Sequence, residues 1–514
     1  MLNYPSDSTV LRGLGGVSFV TGAHQFRSGV QWHWANSGRI NANDTAYTFV
    51  NGSPAQVTYA VADNSSTTIA RSLGLYAQDR WQMHRLTLNG GLRLDYLNTR
   101  INAAHVNPGK YWSALDFPAI DNVPNWKDVT VRLGASLDVF GNGRTALKWN
   151  AGKYLEAMQV TFADAVNPLI TSANQVATRN WNDNTGCATC ISGDFVPQEG
   201  ELGAISNPNF ATSNVGIRYD PAVATGWGKR AWNWETSISV QHQLLDGLSV
   251  DAGYYRRWRG NFRVTDNLTL TPADYDPFCV TAPNDSRLPN GGGYSVCGLY
   301  DINPAKFNAT ADNVVTSADH FGKQTEVFNS VDIAISARLS RTLTLQGGTS
   351  TGRVETNSCF IVDSPQSTLN CNVKPPFQTQ SRIVAIYRTP FLGLRTSLTF
   401  QSNPGPQILA TWSAPASAVT GLGRALAGSA RNVLGVPLIA PGTIYGERTN
   451  QMDFRLARDI KLVGRLRVEG QFDVYNVLND NAVISQNNAF GSSWQSPIGI
   501  LSGRLYKFGA LLRF

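Results

Sequence analysis

Hydrophobic and polar residues alternate with a period of two along much of the chain. Between residues 86 and 96, every second residue is leucine, glycine or tyrosine, and the residues between them are polar or glycine. Residues 248–254 and 465–475 repeat this pattern. Because successive side chains of a β-strand point to opposite faces, the alternation predicts strands that each have one apolar and one polar face.

Short turns and long loops alternate between the predicted strands. A tight hairpin is predicted at Gly141-Asn142-Gly143, and further turns centre on residues 81–85, 244–248, 339–343, 390–394 and 459–465. The long segments are rich in Pro, Gly and Asn, and they cover residues 97–128, 157–230, 261–326, 354–380, 404–448 and 479–502. Transmembrane β-barrels have short periplasmic turns and long extracellular loops. We therefore predict an all-β fold, an antiparallel transmembrane β-barrel of the outer membrane with about fifteen strands.

The two β-architectures considered place the two faces of each strand in different environments. In a soluble sandwich, which is the alternative, the polar face would meet external water. In a membrane barrel the apolar face meets lipid and the polar face meets the lumen. The barrel makes five charged residues candidates for the lumen wall: Arg93, Asp95, Arg467, Glu469 and Asp473.

The end of the chain supports the barrel. Counting back by twos from the last residue gives Phe514, Leu512, Ala510, Phe508 and Tyr506. This terminal strand resembles the C-terminal assembly signature of bacterial outer-membrane barrels. The resemblance implies outer-membrane lipid and the barrel-assembly machinery as partners, in a Gram-negative type of bacterium.

The composition excludes two other classes of protein. Among 514 residues, 13 Trp, 17 Tyr and 22 Phe are too many apolar anchors for a disordered chain. No run of about 18 apolar residues occurs, so a helical membrane protein is excluded. The 43 Lys and Arg exceed the 36 Asp and Glu by seven charges, but they are spread singly, and we expect no nucleic-acid partner.

Six cysteines form three local pairs in loop-like segments: Cys187 with Cys190, Cys279 with Cys297, and Cys359 with Cys371. Local pairs on loops favour disulfides formed in an oxidising compartment. The Cys187–Cys190 spacing also fits a redox or zinc motif. However, a redox site needs a βαβ context and a zinc site needs a second ligand pair, and neither lies nearby in the sequence.

Several stretches occur in a specific order and spacing. They are LYAQDRW at 75–81 with LRLDY at 92–96, RLG at 132–134 with FGNGRTALK at 140–148 and GKY at 152–154, NWE at 233–235 with YYRR at 254–257, and DFR at 453–455 with FDVYNVLN at 472–479. Together they resemble the barrel of TonB-dependent receptors, most closely the Oar-like subgroup. The resemblance covers nearly all of the chain.

The resemblance implies a barrel of about 22 strands with a plugged lumen. Here about fifteen strands can be counted, and no plug domain, TonB box or signal peptide is recognisable. We therefore expect residues 1–514 to be the C-terminal barrel portion of such a receptor. Because an open barrel leaves unpaired backbone groups, we also expect a curved sheet whose free edges are the first strand, near 11–20, and the last, near 503–514.

Motifs for catalysis and for metal or cofactor binding are weak. The segment 348–352 fits the G-x-S-x-G nucleophile pattern, but that motif needs a strand–elbow–helix context. Gly421-Leu422-Gly423 lacks the third glycine of a dinucleotide fingerprint, and a short amphipathic helix around 419–433 is the preferred interpretation. The six histidines form no ligand pairs. We expect no enzyme, no cofactor and no metal.

Two functional hypotheses remain. The first is a receptor-transporter that binds a scarce, unidentified substrate and imports it with energy from the inner-membrane TonB complex. That complex is a partner only if an N-terminal plug and TonB box exist. The alternative is a non-transport surface or adhesion protein, or a truncated non-functional remnant.

Overall fold

The structure is a computed structural model, and it describes residues 6–41, 45–61, 63–109, 112–157, 160–170, 175–183, 187, 189–207, 210–212, 216–390 and 393–514. Fifteen long strands form one sheet together with the short strands Thr225–Trp227 and Asn372–Val373, and we call the fifteen long strands the wall. They are β1 (Ser6–Thr21), β2 (His24–Asn41), β3 (Asp63–Met83), β4 (Leu86–Ile101), β5 (Asn125–Asp138), β6 (Thr145–Leu155), β7 (Trp232–Leu245), β8 (Leu248–Gly260), β9 (Thr325–Arg338), β10 (Leu343–Asn357), β11 (Gln378–Arg388), β12 (Leu394–Asn403), β13 (Thr449–Lys461), β14 (Arg467–Tyr475) and β15 (Leu505–Arg513).

Each wall strand pairs antiparallel with the next one along the chain. This is an up-and-down meander, and it confirms the all-β antiparallel prediction and the strand count. The predicted short turns at 81–85, 141–143, 244–248, 339–343 and 459–465 are confirmed as well, whereas part of the one at 390–394 lies outside the described residues. At the turn between β5 and β6, Gly141 and Gly143 have φ angles of 73° and 71°, a backbone conformation that favours glycine. One further turn, at Gly22 and Ala23, was not predicted.

The wall has two free edges in the described part of the chain. There β1 pairs only with β2, and β15 pairs only with β14. No hydrogen-bonded ladder joins β1 to β15 among the described residues. The expectation of an open sheet bounded by the first and last strands is therefore confirmed.

The long loops contain more structure than we predicted. Seventeen short strands lie outside the wall: Thr45–Val50, Ser53–Ala60, Ala104–Val106, Leu115–Phe117, Val176–Asn180, Ile217–Tyr219, Thr225–Trp227, Arg263–Asn267, Tyr275–Thr281, Ser295–Ile302, Asn313–Ser317, Asn372–Val373, Thr411–Pro415, Val419–Thr420, Asn432–Pro437, Val483–Gln486 and Pro497–Ile500. Most of them form small sheets of two or three strands.

The helix predicted around 419–433 is wrong. This segment contains the strand Val419–Thr420, the 3₁₀ turn Ala427–Ser429 and the start of the strand Asn432–Pro437. Gly421 and Gly423 adopt φ angles of +83° and +73°, which a right-handed helix cannot contain. The two glycines end the helical pattern that the apolar spacing suggested.

Helices are few and short. In the part of the chain that the structure describes, the α-helices are α1 (Thr161–Asp164) and α2 (Pro221–Ala224). The 3₁₀ turns are Glu199–Glu201, Pro272–Asp274, Pro289–Gly291, Pro304–Lys306, Ala318–His320, Pro365–Thr368, Ala416–Ala418 and Ala427–Ser429. Within the described ranges, no helix has the length and hydrophobicity that crossing a bilayer requires.

The buried apolar cores lie in the loops and at the loop ends of the wall strands. The largest cluster joins the loops after β8, β12 and β14; it contains Phe278, Val280, Leu288, Leu299, Val436, Leu438, Ile439 and Trp494. A second cluster joins the loop ends of β2–β5 to the loop after β6; it contains Ala35, Ile69, Leu97, Trp126, Phe162 and Ala224. The loops are therefore folded bodies at one end of the wall.

Candidate binding cavity inside the wall

Nine consecutive wall strands, β2 to β10, surround one cavity of 1110 Å³. Alternate residues of each strand face it, as shown by Gln78 on β3, Asn89 and Arg93 on β4, and Arg132 on β5. We call this the inner face and the opposite one the outer face. Since residues paired across strands lie on the same face, the register carries this assignment to strands that do not border the cavity.

The polar half of the alternation forms the inner face. On β4, Asn89, Gly91 and Arg93 border the cavity, whereas Leu92 on the outer face is 59% exposed. Three inner glycines, Gly91, Gly134 and Gly152, lie on β4, β5 and β6. A Cβ atom at Gly134 would lie 3.0 Å from Asn150 Oδ1. Glycine thus permits close approach of neighbouring polar groups on this wall.

The cavity has an excess of positive charge. Five arginines border it from the inner face: Arg27, Arg80, Arg93, Arg132 and Arg257. Two carboxylates border it from the same face, Glu235 and Asp332. Asp332 accepts hydrogen bonds from the hydroxyl groups of Ser330 (2.6 Å) and Ser350 (2.7 Å).

Two of the five arginines are paired. Arg93 donates from Nε to both carboxylate oxygens of Asp95 at 2.9 Å, and from Nη1 to Gln31. Arg257 Nη1 lies 3.9 Å from Glu235 Oε1, a loose ion pair. This leaves three cations whose charge a ligand could neutralise.

These three are Arg27, Arg80 and Arg132. Among the described residues, none of them has a carboxylate within 4.0 Å. Arg132 instead lies over the Tyr154 ring, 4.8 Å from its centroid. A guanidinium that packs on an aromatic ring can still bind an anion on the side that faces away from the ring.

The sequence-predicted lumen residues fall in two separate places. Arg93 borders the cavity, and Asp95 is its partner. Arg467, Glu469 and Asp473 lie on the inner face of β14, away from the cavity-lining strands. There Glu469 binds Arg395 Nη2 at 2.5 Å and Arg513 Nη2 at 2.7 Å, while Asp473 binds Arg455 Nε at 2.5 Å. The buried carboxylates of Glu469 and Asp473 thus form ion pairs with partly exposed arginines, whereas Arg467 is exposed. The role of all three residues remains a prediction.

Sequence reasoning missed four of the five cavity arginines: Arg27, Arg80, Arg132 and Arg257. Each occupies the polar side of a two-residue alternation, so a signal existed. The alternation identified the polar face of each strand, but it did not show which residues of different strands border the same cavity. Which residues border the cavity together depends on the order of strands that are spread over more than 200 residues of the chain.

The remaining predicted residues can also be placed. The three cysteine pairs are bonded in the structure, with Cα–Cα distances of 5.3 Å for Cys187–Cys190, 4.2 Å for Cys279–Cys297 and 4.9 Å for Cys359–Cys371. All lie in loops or loop strands outside the wall. Whether the protein forms them in its compartment is a prediction that peptide mapping can test.

On β15, alternate residues face outward. Phe472 on β14 lies opposite Phe508 in the ladder, and their ring centroids are 5.0 Å apart. Tyr506, Phe508, Ala510, Leu512 and Phe514 occupy the same side of the chain, and Phe514 is 99% exposed. This is the apolar face that the terminal pattern requires.

A second, smaller cavity of 570 Å³ lies near the short turns of β6 to β10 and is bordered by Arg144, Gln241, Gln243, Arg338 and Gln346. The described part of the chain offers neither a metal cluster nor a nucleophile elbow. Groups of three or more His, Cys, Asp or Glu that could hold a metal ion do not occur there. The segment 348–352 lies inside β10, where Gly348 and Gly352 pair with residues of β9. An extended strand does not provide the elbow that a nucleophilic serine needs.

Comparisons with known proteins agree with this architecture. A model of the outer membrane beta barrel domain family matches residues 3–348. The outer membrane transporter YddB from Escherichia coli is similar in structure, with a TM-score of 0.53 and 12% identity over 99% of this chain and 54% of that one. The siderophore receptor PiuA from Acinetobacter baumannii has a TM-score of 0.49 and 9% identity over 99% of this chain and 56% of that one. Comparison with curated proteins gave no match.

The chain spans about half the length of the solved structures that it matches. At such identities the likeness concerns the fold alone. It confirms the resemblance to a TonB-dependent-receptor barrel at that level, while the Oar-like subgroup stays an interpretation. The chain lies in the outer membrane and belongs to the outer membrane beta barrel domain family.

Proposed function

We propose that residues 1–514 are the barrel part of a receptor-transporter that binds an anionic solute in the arginine-lined cavity. One observation carries the proposal: three inner arginines, Arg27, Arg80 and Arg132, have no carboxylate partner in the described chain. A concave wall of one charge sign concentrates solutes of the opposite sign. The cavity volume of 1110 Å³ is close to the upper end of the usual range for ligand sites, about 300–1,000 Å³.

The direction and energy of transport belong to the same proposal. The resemblance to TonB-dependent receptors implies a plug domain that fills the lumen and a TonB complex that rearranges it. In that arrangement the folded loops receive the solute, and the inner face guides it past the plug. A non-transport surface protein would use the loops alone, so it would not need a charged lumen.

Binding of a multiply charged carboxylate, such as citrate, tests the cavity. The chain is expressed behind a secretion signal, extracted in detergent and titrated by calorimetry. The variant R27Q/R80Q/R132Q removes the three unpartnered cations. The control R341Q/K461Q/R465Q removes three exposed cations at the short turns, with the same change in net charge.

We expect wild type and control to bind citrate, with affinity falling as salt rises. The cavity variant should lose at least tenfold in affinity, because hydrogen bonds to charged groups contribute about 1.5–3 kcal/mol each before solvent screening. Equal affinity in the two triple variants, or binding of an uncharged sugar of similar size in preference to citrate, would contradict the proposal.

A further inference from the structure

The outer face carries a second group of cations, at the loop end of neighbouring wall strands. Lys127 lies on β5, Lys153 on β6 and Arg256 on β8. The register places them outward: Lys153 lies opposite Trp234, and Trp234 lies opposite Trp258. These positions alternate with the inner-face residues of the same strands, although Arg256 also borders the cavity.

Their height on the wall matches the boundary of a bilayer. On β5 the outer face below Lys127 is apolar over five alternate residues: Val129, Val131, Leu133, Ala135 and Leu137. At ~3.3 Å per residue they cover about 26 Å along the strand. Because the strand is tilted, this length crosses most of the apolar band, about 25 Å tall, that a membrane barrel presents. Lys127 is the next outward residue on the side of the long loops, so it lies at headgroup level in the outer leaflet.

Tryptophans flank each of the three cations. Lys127 Nζ is 6.0 Å from the Trp227 ring centroid, Lys153 Nζ is 5.6 Å from that of Trp232, and the Arg256 guanidinium is 6.0 Å from that of Trp258. Trp234 and Trp258 stack with centroids 6.2 Å apart. Amphipathic aromatic rings prefer the depth where acyl chains meet headgroups.

The three cations form no ion pair with a described residue. In the described part of the chain, none of the three lies within 4.0 Å of a carboxylate, and the outer-face positions of β5 to β9 contain no Asp or Glu. The contrast is Arg353 on β10. It lies in the same row as Arg256, through Asn329, but Glu355 neutralises it at 2.6 Å.

We propose that Lys127, Lys153 and Arg256, with the tryptophans beside them, bind the phosphate groups of an anionic lipid in the outer leaflet. Charge complementarity supplies the argument, since a lipid phosphate offers the anions that the outer face of β5 to β9 lacks. The tryptophans select a lipid over free phosphate, because they hold acyl chains beside the headgroup. This surface lies on the outer face of the wall, and its function does not depend on transport.

Native mass spectrometry of the extracted full chain counts the bound lipids. The probe is a bisphosphorylated glycolipid added to detergent micelles, compared with zwitterionic phosphatidylcholine and with inorganic phosphate. The variant is K127Q/K153Q/R256Q. The matched control, R132Q/K148Q/R257Q, removes three cations from the inner face of the same strands β5, β6 and β8.

We expect wild type and the inner control to retain the glycolipid and the outer variant to bind it roughly a hundredfold more weakly, about fivefold for each cation near an anionic surface. R353Q should bind like wild type, since that charge is already neutralised. If the outer variant does not fold, K127R/K153R/R256K should fold and retain the lipid. Equal retention in all variants, equal binding of phosphatidylcholine, or a loss on R353Q as large as that on K153Q would overturn the proposal.

Discussion

Replacing Glu469 by glutamine should weaken the attachment of the last wall strand. The Glu469 side chain is 2% exposed, although it lies on the inner face of β14. It receives Arg395 from β12 and Arg513 from β15, at 2.5 and 2.7 Å, and Gln471 at 2.9 Å. Because β15 pairs only with β14 in the described part of the chain, the Arg513 contact is one of few side-chain links that supplement its ladder.

The expected loss in free energy of unfolding depends on the interactions that remain after the substitution. Glutamine keeps the size of the side chain and one acceptor oxygen but removes the charge. Two charge-assisted hydrogen bonds would each contribute about 1.5–3 kcal/mol in a dry site. Here the Arg395 and Arg513 side chains are 33% and 54% exposed, so lumen water screens them and hydrates them after the change. We therefore expect a loss of about 1–3 kcal/mol.

Urea unfolding in detergent micelles, followed by tryptophan fluorescence, measures this loss. The control is Glu235→Gln, which removes an inner-face carboxylate whose only ion pair among the described residues, with Arg257, spans 3.9 Å. The control should change the free energy of unfolding by less than about 0.5 kcal/mol. Hydrogen exchange should rise at the β15 amides in E469Q and not in E235Q. Equal stability of the two variants would refute the reasoning that Glu469 holds β15 to its neighbours.

Three further results are expected. Leu92→Arg puts a cation on the lipid face and should cost about 2–4 kcal/mol in the same assay, far more than Asn89→Ala on the wet inner face; equal costs would reverse the face assignment. Non-reducing peptide mapping should recover Cys279 joined to Cys297, and free thiols there would contradict the loop pairing. Burial raises the pKa of Tyr219, in a loop strand, to about 12. Its neutral form therefore stabilises the loop below pH ~10, and this stabilisation is lost as the pH rises toward 12, so Tyr219→Phe should abolish the latest step of an absorbance titration at 295 nm.

The wall was predictable because its determinants are local. Each strand has its own alternation of apolar and polar residues, and most short turns have a glycine, asparagine or aspartate; the turns at His84-Arg85 and at 339–342 do not. The number of strands, the turns and the outward aromatic pattern up to Phe514 follow from those signals. The two-residue period also makes the faces robust, since one step of slippage would place leucines in the lumen and arginines in lipid.

The loops were not predictable, because they are determined by contacts between distant parts of the chain. Val280 pairs with Val419 in a small sheet, and Arg424 binds Asp276 and Asp301, 148 and 123 residues away. No local pattern encodes such contacts. The failed helix at 419–433 is different, since Gly421 and Gly423 were visible and argue against a helix. The cavity was predictable in part. Its residues lie on a face that the alternation predicted, but the sequence pattern does not show the order of the nine strands that brings them together.

The folded loops have a consequence for recognition of the bacterial surface. A surface made of small sheets over apolar cores, such as the cluster around Val280, Leu299 and Val436, presents epitopes assembled from segments far apart in sequence. Antibodies or phage proteins that recognise it must therefore read shape rather than a linear stretch. Sera raised against short synthetic peptides from residues 261–326 should bind the denatured chain well and intact cells poorly.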